Sequence, residues 1–142
     1  MNTFKLKIIT PRKIVAEQEV NSVTVPSVDG EITVLPHHTR LFSLLNEGII
    51  KIKIKDKENF LSIGGGYLET DGVTTTILVS KAFHQDEIDQ KVTEKAIEEA
   101  KKILSKSVDE KERKEATSLL RRSLIDMKLL KKKAPKSFSE NV

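Results

Sequence analysis

The chain has 142 residues, with 25 Lys or Arg and 21 Asp or Glu, which gives a formal net charge of +4. Because it contains no cysteine, a disulfide framework, Cys-based zinc sites and thiol catalysis are excluded. One domain, or a small domain with an appendage, fits this length. No apolar run approaches the roughly 18–20 residues of a membrane helix, so we expect a soluble, intracellular protein.

The charge divides the chain near residue 85. Residues 1–84 carry 10 basic and 9 acidic side chains, whereas residues 85–133 carry 14 and 11. The second segment also lacks Gly and Pro, and all six glycines precede residue 73. We therefore predict two domains, 1–84 and 85–133, followed by a flexible tail at 134–142.

The first segment has the periodicity of short β-strands. Apolar residues alternate with lysines over Phe4–Ile8 and again over Ile49–Lys55, the pattern of half-buried antiparallel strands. Asp71-Gly72 is a hairpin signal, and the β-branched run Val73–Val79 follows it. Since turn signals recur about every ten residues, an antiparallel β-sandwich or barrel is expected.

The second segment changes to a helical period. We predict Asp86 as the first N-cap, and a capping box formed by Ser107 and Glu110 at the start of a second helix. The result is an antiparallel two-helix hairpin and an α+β fold class. The apolar faces must meet each other, the β domain or a partner. The predicted stripes are Ile88, Val92, Ala96, Ala100, Ile103 and Leu104, then Ala116, Leu119, Leu120, Leu124, Met127 and Leu130.

Candidate chemistry is sparse. The run Gly64–Gly66 lacks a following Gly-Lys-Ser/Thr, so a tight bend between strands is favoured over a phosphate loop. His37 and His38 are adjacent and therefore point apart, and the third histidine is distant at His84, which favours an exposed loop over a metal site. No catalytic set can be nominated, and we predict no enzyme, no metal and no cofactor.

The basic end of the second helix has two interpretations. Lys128 with residues 131–133 can be a solvated helix C-terminus, which the helix dipole favours. The same charge can contact nucleic acid. A small nucleic-acid adaptor built from a β domain and a basic helix is therefore the alternative function.

Residues 23–52 and 63–82 resemble the epsilon subunit of F-type ATP synthases. The first stretch is similar to the family pattern of Gly-Glu, a short apolar run, Pro-Gly-His-Ala-Pro-Leu-Leu and a Gly before a strand. The second, IGGGYLETDGVTTTILVSKA, looks like the family's Gly-Gly-hydrophobic-Leu-Glu segment. Order, spacing and length agree over nearly the whole chain. The matching positions of the first stretch are Gly30, Glu31, Pro36, His38, Leu41 and Gly48.

The resemblance implies a non-catalytic rotor subunit of the central stalk, peripheral on the cytoplasmic face of the bacterial inner membrane. Its β domain would contact the gamma subunit and the membrane rotor ring, coupling one to the other during ATP synthesis and ion transport. The same resemblance assigns contact with the ring to Glu31 and His38 and, more weakly, to His37 and Arg40. His37, Thr39 and Arg40 depart from the family pattern, which makes this loop bulkier and more basic.

The resemblance also implies that the hairpin is regulatory. In the family it folds onto the β domain or extends toward the alpha and beta catalytic subunits, where it inhibits ATP hydrolysis. A solvated outer face is the alternative role for its basic side chains. The candidates for contact with an acidic segment of a catalytic subunit are Arg113, Lys114, Arg121, Arg122 and Lys128.

Some bacterial members of the family bind ATP through Ile/Leu-Asp-x-x-Arg-Ala at the start of the first helix. Here Ile88 and Asp89 match, but Val92 replaces the Arg and Thr93 the Ala. A charge-assisted hydrogen bond contributes roughly 1.5–3 kcal/mol, so its loss lowers affinity about tenfold to a hundredfold. We expect ATP to bind weakly or not at all.

Overall fold

The computed structural model describes residues 2–132, and the tail predicted at 134–142 lies outside this range. Strands fill the first part, and two helices follow a 3-10 turn at Gln85–Glu87. The helices are α1 (Gln90–Lys106) and α2 (Glu110–Leu130). The strands are β1 (Phe4–Ile9), β2 (Ile14–Val20), β3 (Ser22–Ser27), β4 (Gly30–Val34), β5 (Leu41–Leu45), β6 (Gly48–Ile54), β7 (Lys57–Ile63), β8 (Gly66–Thr70), β9 (Thr74–Val79) and β10 (Ala82–His84).

The strands form one hydrogen-bonded network that folds over itself as a sandwich. Neighbours follow the order β10-β7-β6-β3-β5-β8-β9-β1-β2, and β4 pairs with β3 off this path. Contacts between β2 and β6 bring the two halves together, so the sheet nearly closes into a barrel. The predicted α+β class is confirmed. The pairing of β1 with β9 is parallel, which the sequence did not predict.

The sandwich has its own apolar core. Leu6, Ile50, Leu61 and Leu68 are completely buried, as expected of alternate positions on paired strands. Complete burial of one such side chain contributes about 1.5–3 kcal/mol. The predicted alternation of Ile49–Lys55 is confirmed along β6, where Ile50 and Ile52 are completely buried and Ile54 packs against the core. The sandwich is therefore stable through burial within its own strands.

Glycines allow two close approaches between backbones. A Cβ on Gly66 would collide with the carbonyl oxygen of Leu78 on the neighbouring strand β9. This confirms the tight bend predicted for Gly64–Gly66. Gly72 has a φ of 92° in the turn from β8 to β9, which confirms the hairpin predicted at Asp71-Gly72.

Both predicted helix starts are wrong by two or three residues. The N-cap of α1 is Asp89, whose side chain accepts from Val92 N at 3.1 Å, and Asp86 lies in the preceding 3-10 turn. The N-cap of α2 is Asp109, whose side chain accepts from Lys111 N. Ser107 instead ends α1, so the predicted capping box is absent. In each case an aspartate closer to the helix satisfies its free N–H groups.

The two helices form a hairpin, because a connection of three residues (107–109) joins them and they pack along each other. The predicted stripes are partly wrong: Val92 is 64% exposed and Leu124 is 50% exposed. Ala100 and Ala116, which belong to the predicted stripes, are buried. Within residues 2–132, neither helix is both long and apolar enough to cross a membrane. The buried residues of the hairpin are Thr93, Ala100, Ala116, Ser123 and Leu129.

Candidate functional site

The loop after β4 rests on the turn between β8 and β9. The N–H of His37 donates to Gly72 O at 3.0 Å, and His37 has a φ of 64°. His38 Nδ1 lies 2.7 Å from Thr39 O. A Cβ on Gly72 would lie only 2.7 Å from His38 O, so the loop and the turn fit together because residue 72 is glycine. This end of the sandwich is a preformed surface.

Asp71 organises the turn beneath this loop. Its Oδ1 accepts from Thr74 N at 2.8 Å and from Val73 N at 2.9 Å. These backbone hydrogen bonds hold the pKa of Asp71 below its ordinary value, and the nearby guanidinium of Arg40 acts in the same direction. The loop end therefore presents a carboxylate and a guanidinium together.

The structure brings together three of the four residues predicted to contact the rotor ring. His37, His38 and Arg40 share the loop after β4, where His37 and Arg40 are exposed and His38 is half-buried. Glu31 stands near the opposite end of β4, exposed, and lines a cavity with Lys128 of α2. Ring contact stays a prediction for all four, now at two separate places on the sandwich.

An exposed apolar patch lies beside the loop end, and the sequence did not predict it. We define the outer patch as Val28, Phe42, Leu44 and Tyr67. Phe42 and Leu44 are 60% and 54% exposed on β5, and the ring centroids of Phe42 and Tyr67 lie 5.1 Å apart. Exposed apolar clusters of this kind mark protein contacts. In the sequence, the feature that indicates this patch is the run LFSLL, which places apolar residues on both faces of β5.

Gln85 attaches the end of the hairpin to the sandwich. It lies in the 3-10 turn directly after β10, and its Nε2 donates to Leu129 O at 2.9 Å and Leu130 O at 3.1 Å. Lys132 O accepts from the same amide. Carbonyl groups at a helix C-terminus have no hydrogen-bond donor within the helix. Gln85 provides that donor, although it precedes these carbonyls by 44 or more residues in the sequence. The contact exists only while α2 lies against the sandwich.

An ion pair forms a second contact between the hairpin and the sandwich. Arg121 Nη1 of α2 lies 3.2 Å from Glu47 Oε1, in the connection between β5 and β6. The arginine side chain is 59% exposed and that of Glu47 is 23% exposed. An exposed pair of this kind contributes between 0 and about 1 kcal/mol, so it orients α2 more than it stabilises it.

Asp126 of α2 is half-buried against the sandwich in a small cluster of polar groups. Burial raises the pKa of its carboxyl, against the opposing effects of a hydrogen bond from Ser62 and of the charges on Lys81 and Arg122. Burial also lowers the pKa of Lys81. A cavity of about 30 Å³ lies between these groups and Glu47. The helix thus places ionisable groups in its contact with the sandwich.

The last turn of α2 covers a larger cavity of about 340 Å³. Lys132 Nζ lies 5.0 Å from the ring centroid of Phe60 on β7, within cation–π range. Ile125 and Lys128 line the same cavity, opposite Gly48 of the sandwich. The contact thus combines charged side chains with apolar ones, among them Ile49, Phe60 and Ile125. We call the contacts made by Glu47, Phe60, Lys81 and Gln85 with α2 and Lys132 the docking interface.

The five basic residues predicted to meet a catalytic subunit have different surroundings. Arg113 Nη1 donates to Leu104 O and to Ser107 O at 3.1 Å, so it closes the tip of the hairpin. All of the other four are exposed, but Arg121, Arg122 and Lys128 lie beside the docking interface, and Lys114 does not line either cavity there. The basic end of α2 is therefore directed partly toward the sandwich rather than only toward solvent.

The residues that match the nucleotide motif are engaged in starting α1. Asp89 accepts from Val92 N as the N-cap, and its backbone carbonyl accepts from Thr93 Oγ1 at 2.8 Å. Ile88 is half-buried and ends the 3-10 turn. At the position of the family's arginine, Val92 is 64% exposed. Weak or absent binding of ATP therefore stays a prediction.

The described part of the chain contains no group of three or more His, Asp or Glu side chains that could hold a metal ion. His37 and His38 lie in the loop after β4, and His84 ends β10. The triple glycine lies between strands and not before a helix, so the geometry of a phosphate loop is not present. What the arrangement offers is surfaces: the loop end, the outer patch and the docking interface.

Comparison with known proteins gives a consistent result. Residues 3–85 match the family described as ATP synthase, Delta/Epsilon chain, beta-sandwich domain. The ATP synthase epsilon chain of Carboxydothermus hydrogenoformans is 34% identical over 103 residues, which cover 72% of this chain and 77% of the relative. That of Dehalococcoides mccartyi is 34% identical over 138 residues, covering 94% and 96%.

Solved structures share the fold. A chain of the Euglena gracilis mitochondrial ATP synthase (OSCP/F1/c-ring, rotational state 1) matches with a TM-score of 0.68 and 23% identity, covering 90% of this chain and 77% of that one. A chain of the Tetrahymena thermophila mitochondrial ATP synthase (central stalk/c-ring) matches with a TM-score of 0.57 and 13% identity, covering 89% and 96%.

Proposed function

The chain belongs to the family of ATP synthase epsilon chains, and from this premise we propose that its sandwich joins the rotor while its hairpin regulates ATP hydrolysis. As a member of that family it is a non-catalytic subunit of the central stalk. Its partners are subunits of the ATP synthase, and chemistry takes place in them.

The sandwich binds its partners through two surfaces. The outer patch offers aromatic and aliphatic side chains of the kind that anchor protein interfaces, and we assign it to the gamma subunit. The loop with His37, His38 and Arg40 contacts the membrane rotor ring, and Glu31 contributes from the other end of β4. These contacts hold the subunit at the cytoplasmic face of the bacterial inner membrane, as a peripheral protein. They couple gamma to the ring.

One observation supports regulation by the hairpin above the others: α1 and α2 pack mainly on each other, while the contact of α2 with the sandwich is smaller and includes the polar contacts of Gln85 and Arg121. A hairpin with its own internal packing can leave the sandwich without unfolding. Polar contacts with the sandwich can be exchanged for polar contacts with another protein or with water at small net cost. The hairpin is therefore a two-state element of the type that switches use.

The extended hairpin presents basic side chains to an acidic segment of a catalytic subunit and thereby blocks hydrolysis. In the docked state Arg121 is paired with Glu47 and Lys128 lines the cavity against the sandwich, and extension releases both for the partner. Arg113, Lys114 and Arg122 extend the same basic surface along α2. Guanidinium groups suit this role because they pair with carboxylates in a fixed geometry.

ATP does not control this switch strongly, because the carboxylate of Asp89 is already used as an N-cap and Val92 offers no charge. Calorimetric titration of the isolated subunit with ATP should give no saturable isotherm in the micromolar range. A micromolar isotherm would contradict this part of the proposal.

Deletion of residues 86–142 tests the regulatory proposal. The assembled complex should retain the truncated subunit, because the outer patch and the loop end are intact, and its rate of ATP hydrolysis should rise. Co-purification with the gamma subunit serves as the assembly control. Retention of the subunit with an unchanged hydrolysis rate would contradict regulation by the hairpin.

A further inference from the structure

Glu47 is a half-buried carboxylate of the sandwich that faces the hairpin. It lies between β5 and β6, at the place where α2 crosses the sheet, and its Oε1 is 3.2 Å from Arg121 Nη1. The side chain of Glu47 is 23% exposed. Glu47 therefore presents its carboxylate to the hairpin as an acidic partner would.

The charged groups around the pair of Glu47 and Arg121 lie at the contact between α2 and the sandwich. Lys81 of the sandwich and Arg122 and Asp126 of α2 line a small cavity with Glu47. The charge of Glu47 acts on Lys81 as well, since it raises the pKa of that ammonium against the larger effect of burial. Glu47 and Asp126 are thus the carboxylates beside the cations Lys81, Arg121 and Arg122, and Arg121 donates a hydrogen bond to Glu47.

The Nη1 group of Arg121 cannot donate in the same direction to Glu47 and to a second carboxylate. We infer, on the premise of the proposed regulatory function, that Glu47 is an internal competitor for Arg121, occupying in the docked hairpin the place that an acidic segment of a catalytic subunit takes when the hairpin extends. Breaking the pair frees Arg121 for the partner and also weakens docking. Glu47 therefore opposes inhibition, and Arg121 serves both states.

The strength of the pair suits a reversible competitor. Exposed ion pairs change an equilibrium by at most about fivefold, which biases the hairpin without locking it. A deeply buried pair would hold the hairpin down against any partner. The expected effects of substitution are therefore shifts of about two- to fivefold, and their direction carries the test.

The test uses two substitutions that break the same pair from opposite sides. In the isolated full-length subunit, Glu47→Gln and Arg121→Gln should each lower the docked fraction by about two- to fivefold, measured by energy transfer between labels on α2 and the sandwich. The docked fraction of the double variant should be no lower than that of either single variant. In the assembled complex the two should diverge: Glu47→Gln should lower the hydrolysis rate, and Arg121→Gln should raise it.

Glu58→Gln is the matched control. It removes the same charge from the sandwich, but Glu58 pairs with Lys51 on the neighbouring strand, 3.6 Å away, and not with the hairpin. It should leave docking and hydrolysis unchanged. A hydrolysis rate that moves in the same direction for Glu47→Gln and Arg121→Gln, or that moves equally for Glu58→Gln, overturns the competitor role.

Failure of this inference and failure of the proposed function are separable. If deletion of residues 86–142 relieves inhibition while Glu47→Gln leaves the complex like wild type, the hairpin regulates and Glu47 does not compete. If the deletion itself changes nothing, the regulatory function fails, and the competitor role is overturned with it.

Discussion

The sandwich and the hairpin are stabilised in different ways. Core side chains of the sandwich such as Leu6, Ile50 and Leu68 are fully excluded from water. The hairpin keeps Val92 and Leu124 largely exposed, and Gln85 and Arg121 contribute polar contacts between it and the sandwich. Apolar burial cannot be exchanged for contact with water without a large loss of stability, whereas polar contacts can. The difference supports the proposed function, in which one region has a fixed structural role and the other a movable role.

The largest expected effect distinguishes the two kinds of packing. Leu61→Ala removes a fully buried side chain from β7 and should lower the free energy of unfolding by about 2–5 kcal/mol. Leu124→Ala makes the same change at a half-exposed site on α2 and should cost less than about 1 kcal/mol. Urea denaturation of the two variants measures both values. Equal losses would contradict the comparison.

Gln85→Ala should act on the hairpin alone. It leaves carbonyls at the end of α2 without their donor and should weaken docking by about 1–3 kcal/mol. Hydrogen exchange should speed up along α2 while β6 and β8 keep their protection. Gln90→Ala is the control, because Gln90 only bonds to Glu94 on the exposed face of α1. Uniformly faster exchange across the sandwich would argue against two separate regions.

The pH dependence of stability should report the buried carboxyl of Asp126. Because burial raises its pKa, the folded protein binds this proton more tightly than the unfolded chain does. The contribution of Asp126 to stability is therefore full below its ordinary pKa and is lost as the pH rises through the raised value. Asp126→Asn removes this titration, so the variant should gain stability relative to wild type as the pH rises above the ordinary pKa of an aspartate.

Denaturant titrations at several pH values measure this difference. Asp86→Asn, which removes a charge from an exposed residue of the 3-10 turn, is the control for the loss of negative charge alone. A constant difference between wild type and Asp126→Asn over the whole range would show that the helix does not bury this carboxyl on the sandwich.

The smallest expected effect concerns the contact of Lys132 with Phe60. Lys132→Gln should cost about 0.5–1 kcal/mol, the usual size of an exposed cation–π interaction. The exposed neighbour Lys131→Gln is a matched control with the same change of charge. Exchange rates in the last turn of α2 provide the measurement. If both variants behave alike, charge and not contact with the ring accounts for the effect.

Local patterns predicted much of the fold, because strand alternation and helical period depend on near neighbours. The isoleucines of β6 and the turn at Asp71-Gly72 are examples. β5 was not predicted, since its apolar residues lie on both faces and the outer ones form the patch. The start of α1 was misplaced because Asp86 and Asp89 are equally suited as caps in sequence.

Most of the docking interface could not be predicted from the sequence. Arg121 was nominated through the family resemblance, but its partner Glu47 is 74 residues away and no spacing rule connects them. Gln85 bonds to carbonyls at least 44 residues away, and a glutamine in a connecting segment has no distinctive pattern. Such contacts depend on where the hairpin lies, which is a property of the whole fold.

The most direct test locks the hairpin in the docked state and measures hydrolysis. Since the chain has no cysteine, Phe60→Cys with Lys132→Cys provides two unique thiols in this subunit, which a reducible bifunctional reagent can link across the docking interface. The linked complex should hydrolyse ATP at the rate of the complex lacking residues 86–142, and reduction of the link should restore inhibition. Equal inhibition before and after reduction would contradict a hairpin that must leave the sandwich in order to inhibit.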